Sequence, residues 1–259
     1  MSNQIIQSSQ YPAGYIQYAF KMHVTHDRAI CCKLVHSNAR ELVLEKVNPA
    51  NEFDPEWRMT VHFGPVHSIE EVDETGNAIK DDIFDMLSFT LSTKIAGIRL
   101  VGHGLTPRPG EGGSGHLLLP ALECNATVRV GGFRLSNNNI QEVQDALSRI
   151  SVSRHKPLIS LFRHAIGTEE PIVQFLILYL ILYDRYGNQH EVDRQIMLHE
   201  PATPQSISPH DGKPETIYTR LRNEITHRTY VGPETTRAEI MDNLYGFRII
   251  VHGILKLMA

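Results

Sequence analysis

The chain has little of what marks a secreted or membrane-spanning protein. Its 259 residues include only three cysteines, Cys31, Cys32 and Cys124. Because the number is odd and two of them are adjacent, a structural disulfide between those two is disfavoured. Residues 1–10 contain neither the basic cluster nor the apolar core of a signal peptide. The longest apolar run, residues 172–183, is too short to cross a bilayer and predicts a buried core helix. We therefore expect a cytoplasmic protein without a membrane partner.

An excess of positive charge is also missing. The 25 lysines and arginines are outnumbered by 29 aspartates and glutamates, which gives a formal net charge of −4 and a pI near 6.4. This balance excludes the broad basic surface of a general nucleic-acid coat, although a local site can still bind RNA. Between residues 213 and 230, basic side chains outnumber acidic ones: Lys213, Arg220, Arg222 and Arg228 against Glu215 and Glu224. We expect phosphate contacts to lie there.

Familiar metal and phosphate motifs are absent or incomplete. His23 and His26 are close in sequence, but on a strand they point to opposite faces, and no further ligand lies at a recognised spacing. His199 and the glutamate after it lack the second histidine of a zinc-protease motif. The glycine-rich residues 110–117 lack the lysine of a phosphate-binding loop. We therefore expect no metal and no cofactor.

The N-terminal part of the sequence predicts a β-rich domain with one helix. Short runs of β-branched and aromatic residues between polar breaks indicate strands over residues 15–25, 29–35, 41–47 and 58–63. Residues 73–77 predict a turn, and apolar residues at helical spacing predict a helix over 81–95 that ends at Gly97. Residues 102–115, with six glycines and two prolines, predict a loop, and residues 127–133 predict the last strand.

The remaining sequence predicts an all-helical domain. The apolar periodicity and capping residues indicate helices over residues 139–151, 157–166, 169–186, 214–229 and 235–258, with a loop over 200–214. The apolar stripe of the final helix predicts a core or dimer-interface face. The fold class is therefore expected to be α+β, with a domain over residues 1–135 and a helical domain over residues 136–259.

The pair Arg222 and His227, on the predicted penultimate helix, is the strongest candidate for chemistry. Cleavage of RNA without a metal needs a permanent cation for the scissile phosphate and a group that moves protons near neutral pH, and these two residues supply both. A structural alternative stays open. His227 lies in the last turn, where the helix dipole favours a cation, and Arg222 has Glu215 and Glu224 as candidate ion-pair partners.

The sequence from Arg222 to His227, with the polar Asn223 in second position, resembles the signature of the HEPN superfamily of helical domains. Active members are metal-independent endoribonucleases that leave 2′,3′-cyclic phosphate ends. The resemblance implies that Arg222 contacts the phosphate, that His227 is the acid or base, and that Asn223 orients them. It also implies a homodimer whose two motif helices line one groove, with Arg220 and Arg228 at its rim as further RNA contacts.

The same segment is similar to one near the C-terminus of the methylamine-utilisation J (MauJ-like) family, a name that describes a gene neighbourhood rather than a chemistry. Two alternatives to a free ribonuclease follow from the HEPN resemblance. One is a non-catalytic dimer that binds a nucleotide, an RNA or a partner protein. The other concerns context, since such a ribonuclease can serve as a toxin or an antiviral defence component under a regulatory protein partner.

Overall fold

The structure is a computed structural model. Its N-terminal strands form where apolar and polar side chains alternate along the sequence. In β1 (Ala13–Met22), Ile16, Tyr18 and Phe20 share one buried face. The structure describes residues 12–26, 29–34, 38–47, 56–106, 133–149, 155–227 and 233–258. The chain divides into two units, Met1–Ser153 and Arg154–Ala259.

The first unit is built on an antiparallel sheet. Its strands are β1, β3 (Ile30–Lys33), β4 (Ala39–Lys46), β5 (Glu56–Pro65) and β6 (Ile95–Thr106). They are ordered β3-β4-β5-β1-β6, and every neighbouring pair is antiparallel. Two short strands, β2 (Val24–Thr25) and β7 (Phe133–Arg134), pair in parallel. The α+β class predicted from the sequence is confirmed.

Helix α1 (Ile69–Thr90) is longer than the helix predicted over residues 81–95. It begins early because the Ser68 side chain accepts a hydrogen bond from the Glu71 amide at 3.3 Å, which caps the first turn. The predicted bounds were therefore wrong at both ends.

The turn predicted over residues 73–77 was also wrong, because these residues lie inside α1. Gly76 suggested the turn, but the helix needs a glycine there for packing. A Cβ atom at Gly76 would lie 2.7 Å from Ile16 Cδ1, so only a residue without a side chain lets α1 approach β1 this closely.

Strand β6 occupies residues that the sequence assigned to a helix end and to a loop. The helix predicted to end at Gly97 has already ended, and Gly97 adopts a left-handed conformation with φ of 62° inside the strand. The loop predicted from Gly102 is wrong as far as Thr106, because β1 offers this segment an antiparallel partner. The rest of that predicted loop, residues 107–115, lies outside the described residues.

Helix α2 (Asn137–Ser148) belongs to the first unit, whereas the sequence boundary after residue 135 assigned it to the helical domain. Ser136 caps it in a capping box with Asn139. Packing decides its place, since Gln144 Nε2 donates a hydrogen bond to the backbone oxygen of Cys31 at 2.8 Å. The N-terminal unit therefore carries two helices among its described residues rather than one.

The second unit is mainly helical, as predicted. Its elements are α3 (Lys156–Gly167), α4 (Pro171–Tyr186), α5 (Gln189–His199), β8 (Gln205–Ile207), β9 (Pro214–Thr216), α6 (Ile217–His227) and α7 (Pro233–Lys256). Helices α3, α4, α6 and α7 correspond to predicted helices. Helix α5 was missed, and the hairpin of β8 and β9 departs from the expected all-helical domain. The hairpin and α5 both contribute to the pocket described below.

An aromatic cluster forms the core that supports α6. The rings of Tyr218 and Phe247 stack with centroids 4.4 Å apart, and the rings of Phe175 and Tyr179 lie 5.1 and 6.4 Å from that of Phe247. Phe247 belongs to the predicted stripe of α7, whose main residues are buried, so the core role of that stripe is confirmed. None of the described helices is both long and apolar enough to cross a membrane.

Candidate ligand-binding pocket around helix α6

A cavity of about 570 Å³ opens beside α6 in the second unit. This volume lies in the range of small-molecule and nucleotide sites. The wall is formed by the start of α5, by the hairpin and its turn, and by residues of α6: Gln189, His190, residues 206–211, Glu215, Arg220, Arg222, Asn223 and Glu224. The structure therefore brings three of the five predicted site residues, Arg220, Arg222 and Asn223, to one pocket.

Asp193 of α5 fixes the start of α6. Its Oδ1 accepts hydrogen bonds from the Thr216 amide at 3.1 Å, from Thr216 Oγ1 at 2.7 Å and from Thr219 Oγ1 at 2.6 Å. Thr216 Oγ1 in turn accepts from the Thr219 amide at 3.3 Å, as an N-cap residue does. A carboxylate at this end of the helix is also favoured by the helix dipole. The helix that carries the motif is thus held in a fixed register.

The Arg222 side chain is half-buried in the pocket wall and has a fixed orientation. Its Nη1 donates a hydrogen bond to Asn223 Oδ1 at 3.0 Å, and its guanidinium carbon lies 5.8 Å from the centre of the Tyr179 ring. Within the described part of the chain, no carboxylate forms an ion pair with Arg222. The ion pairs with Glu215 or Glu224 that the sequence left open are therefore not formed, and the positive charge faces the pocket uncompensated.

Asn223 links Arg222 to a buried carboxylate. While its Oδ1 accepts from Arg222, its Nδ2 donates to Glu215 Oε2 at 3.1 Å, and Gln189 Nε2 donates to the same oxygen at 3.4 Å. Glu215 is only 3% exposed. Burial raises the pKa of its carboxyl group, and the negative charge of Asp193 adds to this shift, while the hydrogen bond from Asn223 opposes it.

Arg220 also lines the pocket, but its charge is already balanced. Nη1 donates to Glu224 Oε1, and Nη2 donates to Glu239 Oε2 at 2.6 Å. The second oxygen of Glu224 accepts from Thr236 Oγ1 at 3.0 Å, so this network joins α6 to α7. The structure thus gives Arg220 a role in holding the bundle together.

The other two predicted residues lie at or beyond the end of the described segment. His227 is the last residue of α6, and the position of its side chain is outside the described part of the structure. Arg228 lies outside the described residues altogether. On an ideal helix, positions five residues apart diverge by about 140°, from 100° per residue. This spacing predicts that Arg222 and His227 of one chain leave α6 in different directions.

Several pocket residues were not predicted from the sequence, because they belong to α5 and to the hairpin, which were not predicted either. His190 Nε2 lies 3.5 Å from Asp211 Oδ2 and 3.3 Å from Lys213 Nζ. The backbone amide of Lys213 donates to Asp211, which together with Lys213 and His190 lowers the pKa of that carboxyl group. The available signal was Asn188 followed three residues later by a glutamate, since Asn188 caps α5.

Comparison with known proteins gave no match to a protein-family model, a curated protein or a solved structure. Among the described residues, no group of three or more histidine, cysteine, aspartate or glutamate side chains is arranged to hold a metal ion. The chemistry of the pocket itself therefore carries the functional proposal.

Proposed function

We propose that the protein is an endoribonuclease of the HEPN type, in which Arg222 holds the scissile phosphate and His227 moves protons. The observation that carries this proposal is the Arg222 guanidinium, which lines a pocket of suitable size without a carboxylate partner. Arg220, two residues earlier on the same helix, has two such partners. Of the two arginines of α6, Arg222 is thus the one whose positive charge is available to bind an anion.

The setting of Arg222 favours a phosphate over a neutral ligand. A half-buried cation has lost part of its hydration, and an anion that forms two parallel hydrogen bonds to the guanidinium restores that interaction. Tyr179 and Asn223 hold the group in place without neutralising it. A charge fixed in advance needs little reorganisation when negative charge develops on the phosphate during cleavage.

The proposed reaction uses the substrate's own 2′-hydroxyl group. Its oxygen attacks the phosphorus while a base removes its proton, the bond from phosphorus to the 5′-oxygen breaks, and an acid protonates the leaving oxygen. The products are a 2′,3′-cyclic phosphate and a 5′-hydroxyl. Histidine serves as acid or base near neutral pH, which is the role proposed for His227. This route needs no metal ion as a source of the nucleophile.

A second copy of the chain would complete the site. Because Arg222 and His227 diverge on one helix, a two-fold dimer that brings two α6 helices together supplies each arginine with a histidine from the other chain. Arg228 would add a phosphate contact at the rim. We place this activity in the cytoplasm, in a toxin or antiviral defence role controlled by a regulatory protein partner.

The test is cleavage of a 5′-labelled RNA by the purified protein in excess EDTA. We expect cleavage to persist and the new ends to be 2′,3′-cyclic phosphates, and His227→Ala to abolish it while the circular-dichroism spectrum is unchanged. Cleavage that stops in EDTA and returns with magnesium or manganese would contradict the proposed chemistry.

A non-catalytic module that binds a nucleotide is the second candidate. The observation in its favour is that Glu215 and Asp211 line the pocket together with Arg222, which suits one small ligand better than a long polyanion. Retained binding of RNA or a mononucleotide, without any cleavage by the wild-type protein, would select this candidate.

A further inference from the structure

Two charged residues of the pocket each have a free group. The Arg222 guanidinium has no carboxylate partner. Glu215 uses Oε2 for both of its hydrogen bonds, while Oε1 has no partner among the described residues. Oε1 is not one of the unpartnered atoms sealed from solvent, and Glu215 lines the cavity. An acceptor therefore faces the pocket from an almost completely buried residue.

From this geometry we propose that the pocket is a guanine subsite, in which Glu215 Oε1 accepts hydrogen bonds from the base while Arg222 holds a phosphate of the same nucleotide unit. The inference rests on the proposed function and deepens it by naming the base that the RNA substrate presents. It concerns binding, and its test does not require cleavage.

Asn223 fixes the direction of this polar arrangement. An amide has one accepting end and one donating end, and here the accepting end faces Arg222 while the donating end faces Glu215. The cation and the carboxylate are thus held apart by one amide group and two hydrogen bonds of 3.0 and 3.1 Å. They neither collapse into an ion pair nor turn away from the pocket.

The free acceptor selects among the bases. Guanine presents a ring N–H and an exocyclic amine side by side, two adjacent donors that can both point to the free Oε1 atom of Glu215. Adenine and cytosine place a ring nitrogen acceptor beside their amine, and uracil flanks its ring N–H with carbonyl oxygens. Each of these acceptors would face the negative charge of Glu215. Guanine is therefore the base with the best complementarity.

The remaining wall carries a negative charge that limits which ligand fits. Asp211 lines the cavity and repels a second phosphate group. The pocket thus suits one nucleotide of an RNA chain rather than a nucleoside triphosphate.

Glu215 also has a structural role, so a loss of stability alone would prove nothing about guanine. The test therefore compares two ligands on the same protein. The probes are short fluorescent oligomers of 2′-O-methyluridine that carry one central 2′-O-methylguanosine or, instead, one 2′-O-methylinosine. Inosine keeps the ring N–H and the carbonyl but lacks the exocyclic amine, and the 2′-O-methyl groups prevent cleavage.

We expect the wild-type protein to bind the guanosine oligomer roughly 10-fold more tightly than the inosine oligomer, as for one hydrogen bond to a charged group. Glu215→Gln should reduce this ratio to about 2-fold or less, because the amide lacks the charge that strengthens the bond. The matched control is Glu191→Gln, a partly exposed glutamate of α5 that pairs with Arg194 and does not line the pocket, which should keep the full ratio.

Equal binding of the two oligomers by the wild-type protein, or no binding of either, would overturn the guanine subsite. So would an unchanged ratio in Glu215→Gln. The cleavage test is separate. If the protein prefers guanosine in binding but never cleaves RNA, the guanine subsite is supported and the ribonuclease proposal is contradicted. If it cleaves RNA without any preference for guanosine in binding, the ribonuclease proposal is supported and the guanine subsite is contradicted.

Discussion

Two neighbouring regions of α6 use the same residue type in opposite ways. Around Arg220, two carboxylates and a threonine form a closed network between α6 and α7. Around Arg222, a tyrosine ring and an amide position the guanidinium but leave its charge unpaired. These arginines lie only two positions apart, yet one stabilises the bundle and the other faces the pocket with its charge available.

The difference shows why a short motif is a weak guide to a site by itself. Both arginines lie in the basic stretch over residues 213–230, and residue type does not distinguish them. The two arginines differ in the residues that they contact, and these residues come from different elements. Arg220 pairs with Glu239 of α7, and Arg222 lies over Tyr179 of α4. Replacing residues on either side of this comparison should therefore affect different properties.

The largest expected effect is on cleavage, from Arg222→Ala. Removing a charge donor at the reacting phosphate should lower the rate of RNA cleavage by roughly 10²- to 10³-fold. The measurement is the initial rate on a labelled RNA, with unfolding followed in parallel. Arg237→Ala is the control, because Arg237 is an exposed arginine of α7 that pairs with Glu170 away from the pocket. If Arg222→Ala kept the wild-type rate, the roles assigned to the two arginines would be wrong.

Arg220→Ala should show the reverse pattern, with a loss of stability and a smaller effect on the cleavage rate. It leaves Glu224, whose side chain is only 5% exposed, without a cation. We expect the free energy of unfolding to fall by about 2 kcal/mol, below the value for a fully buried pair because Arg220 is partly exposed. Urea unfolding measures this directly. An unchanged midpoint together with lost RNA binding would mean that Arg220 is the phosphate ligand.

A smaller loss is expected from Asp193→Asn. The amide keeps one acceptor for Thr216 but removes the negative charge at the start of α6, which should lower the free energy of unfolding by about 1 kcal/mol. Thermal and urea unfolding at neutral pH test this. A variant as stable as the wild-type protein would show that burial of the carboxylate offsets its hydrogen bonds.

The smallest effect is a pH dependence that Glu215→Gln should remove. Burial raises the pKa of Glu215, Asp193 and Asp211 add to the shift, and Asn223 and Arg220 oppose it. The folded state thus binds a proton more readily than the unfolded state, so this group's contribution to stability falls as pH rises from the ordinary glutamate pKa of about 4.3 through the raised value. As pH rises over this window, the melting temperature of the variant should increase relative to that of the wild-type protein. A constant difference would contradict the shift.

Most of the fold followed from the sequence because periodicity reflects burial. The four strands predicted between residues 15 and 63, and helices α3, α4, α6 and α7, all have a clear apolar face. The failures come from contacts between distant segments. From the sequence, Gly76 predicts a turn, but in the structure it lies in a helix that packs closely on Ile16. The glycine-rich end of β6 likewise predicts a loop, but it pairs with β1 and forms a strand.

The candidate site was only partly predictable for the same reason. Arg222 and Asn223 belong to a short motif and could be named, but Gln189 and Ser206 line the pocket from elements that the sequence analysis missed or treated as loop. The charge balance of Arg220 depends on Glu239, nineteen residues away on α7. No local pattern reports such a partner.

The salt dependence of RNA binding tests the central claim, that Arg222 and not Arg220 is available to a phosphate. For a single-stranded oligomer, each neutralised phosphate contributes about 0.7 to the slope of log K against log salt concentration. The slope measured with the 2′-O-methyl oligomers should therefore decrease in magnitude by about 0.7 in Arg222→Ala and stay at the wild-type value in Arg220→Ala. A wild-type slope in Arg222→Ala, with the decrease in Arg220→Ala instead, would contradict the account.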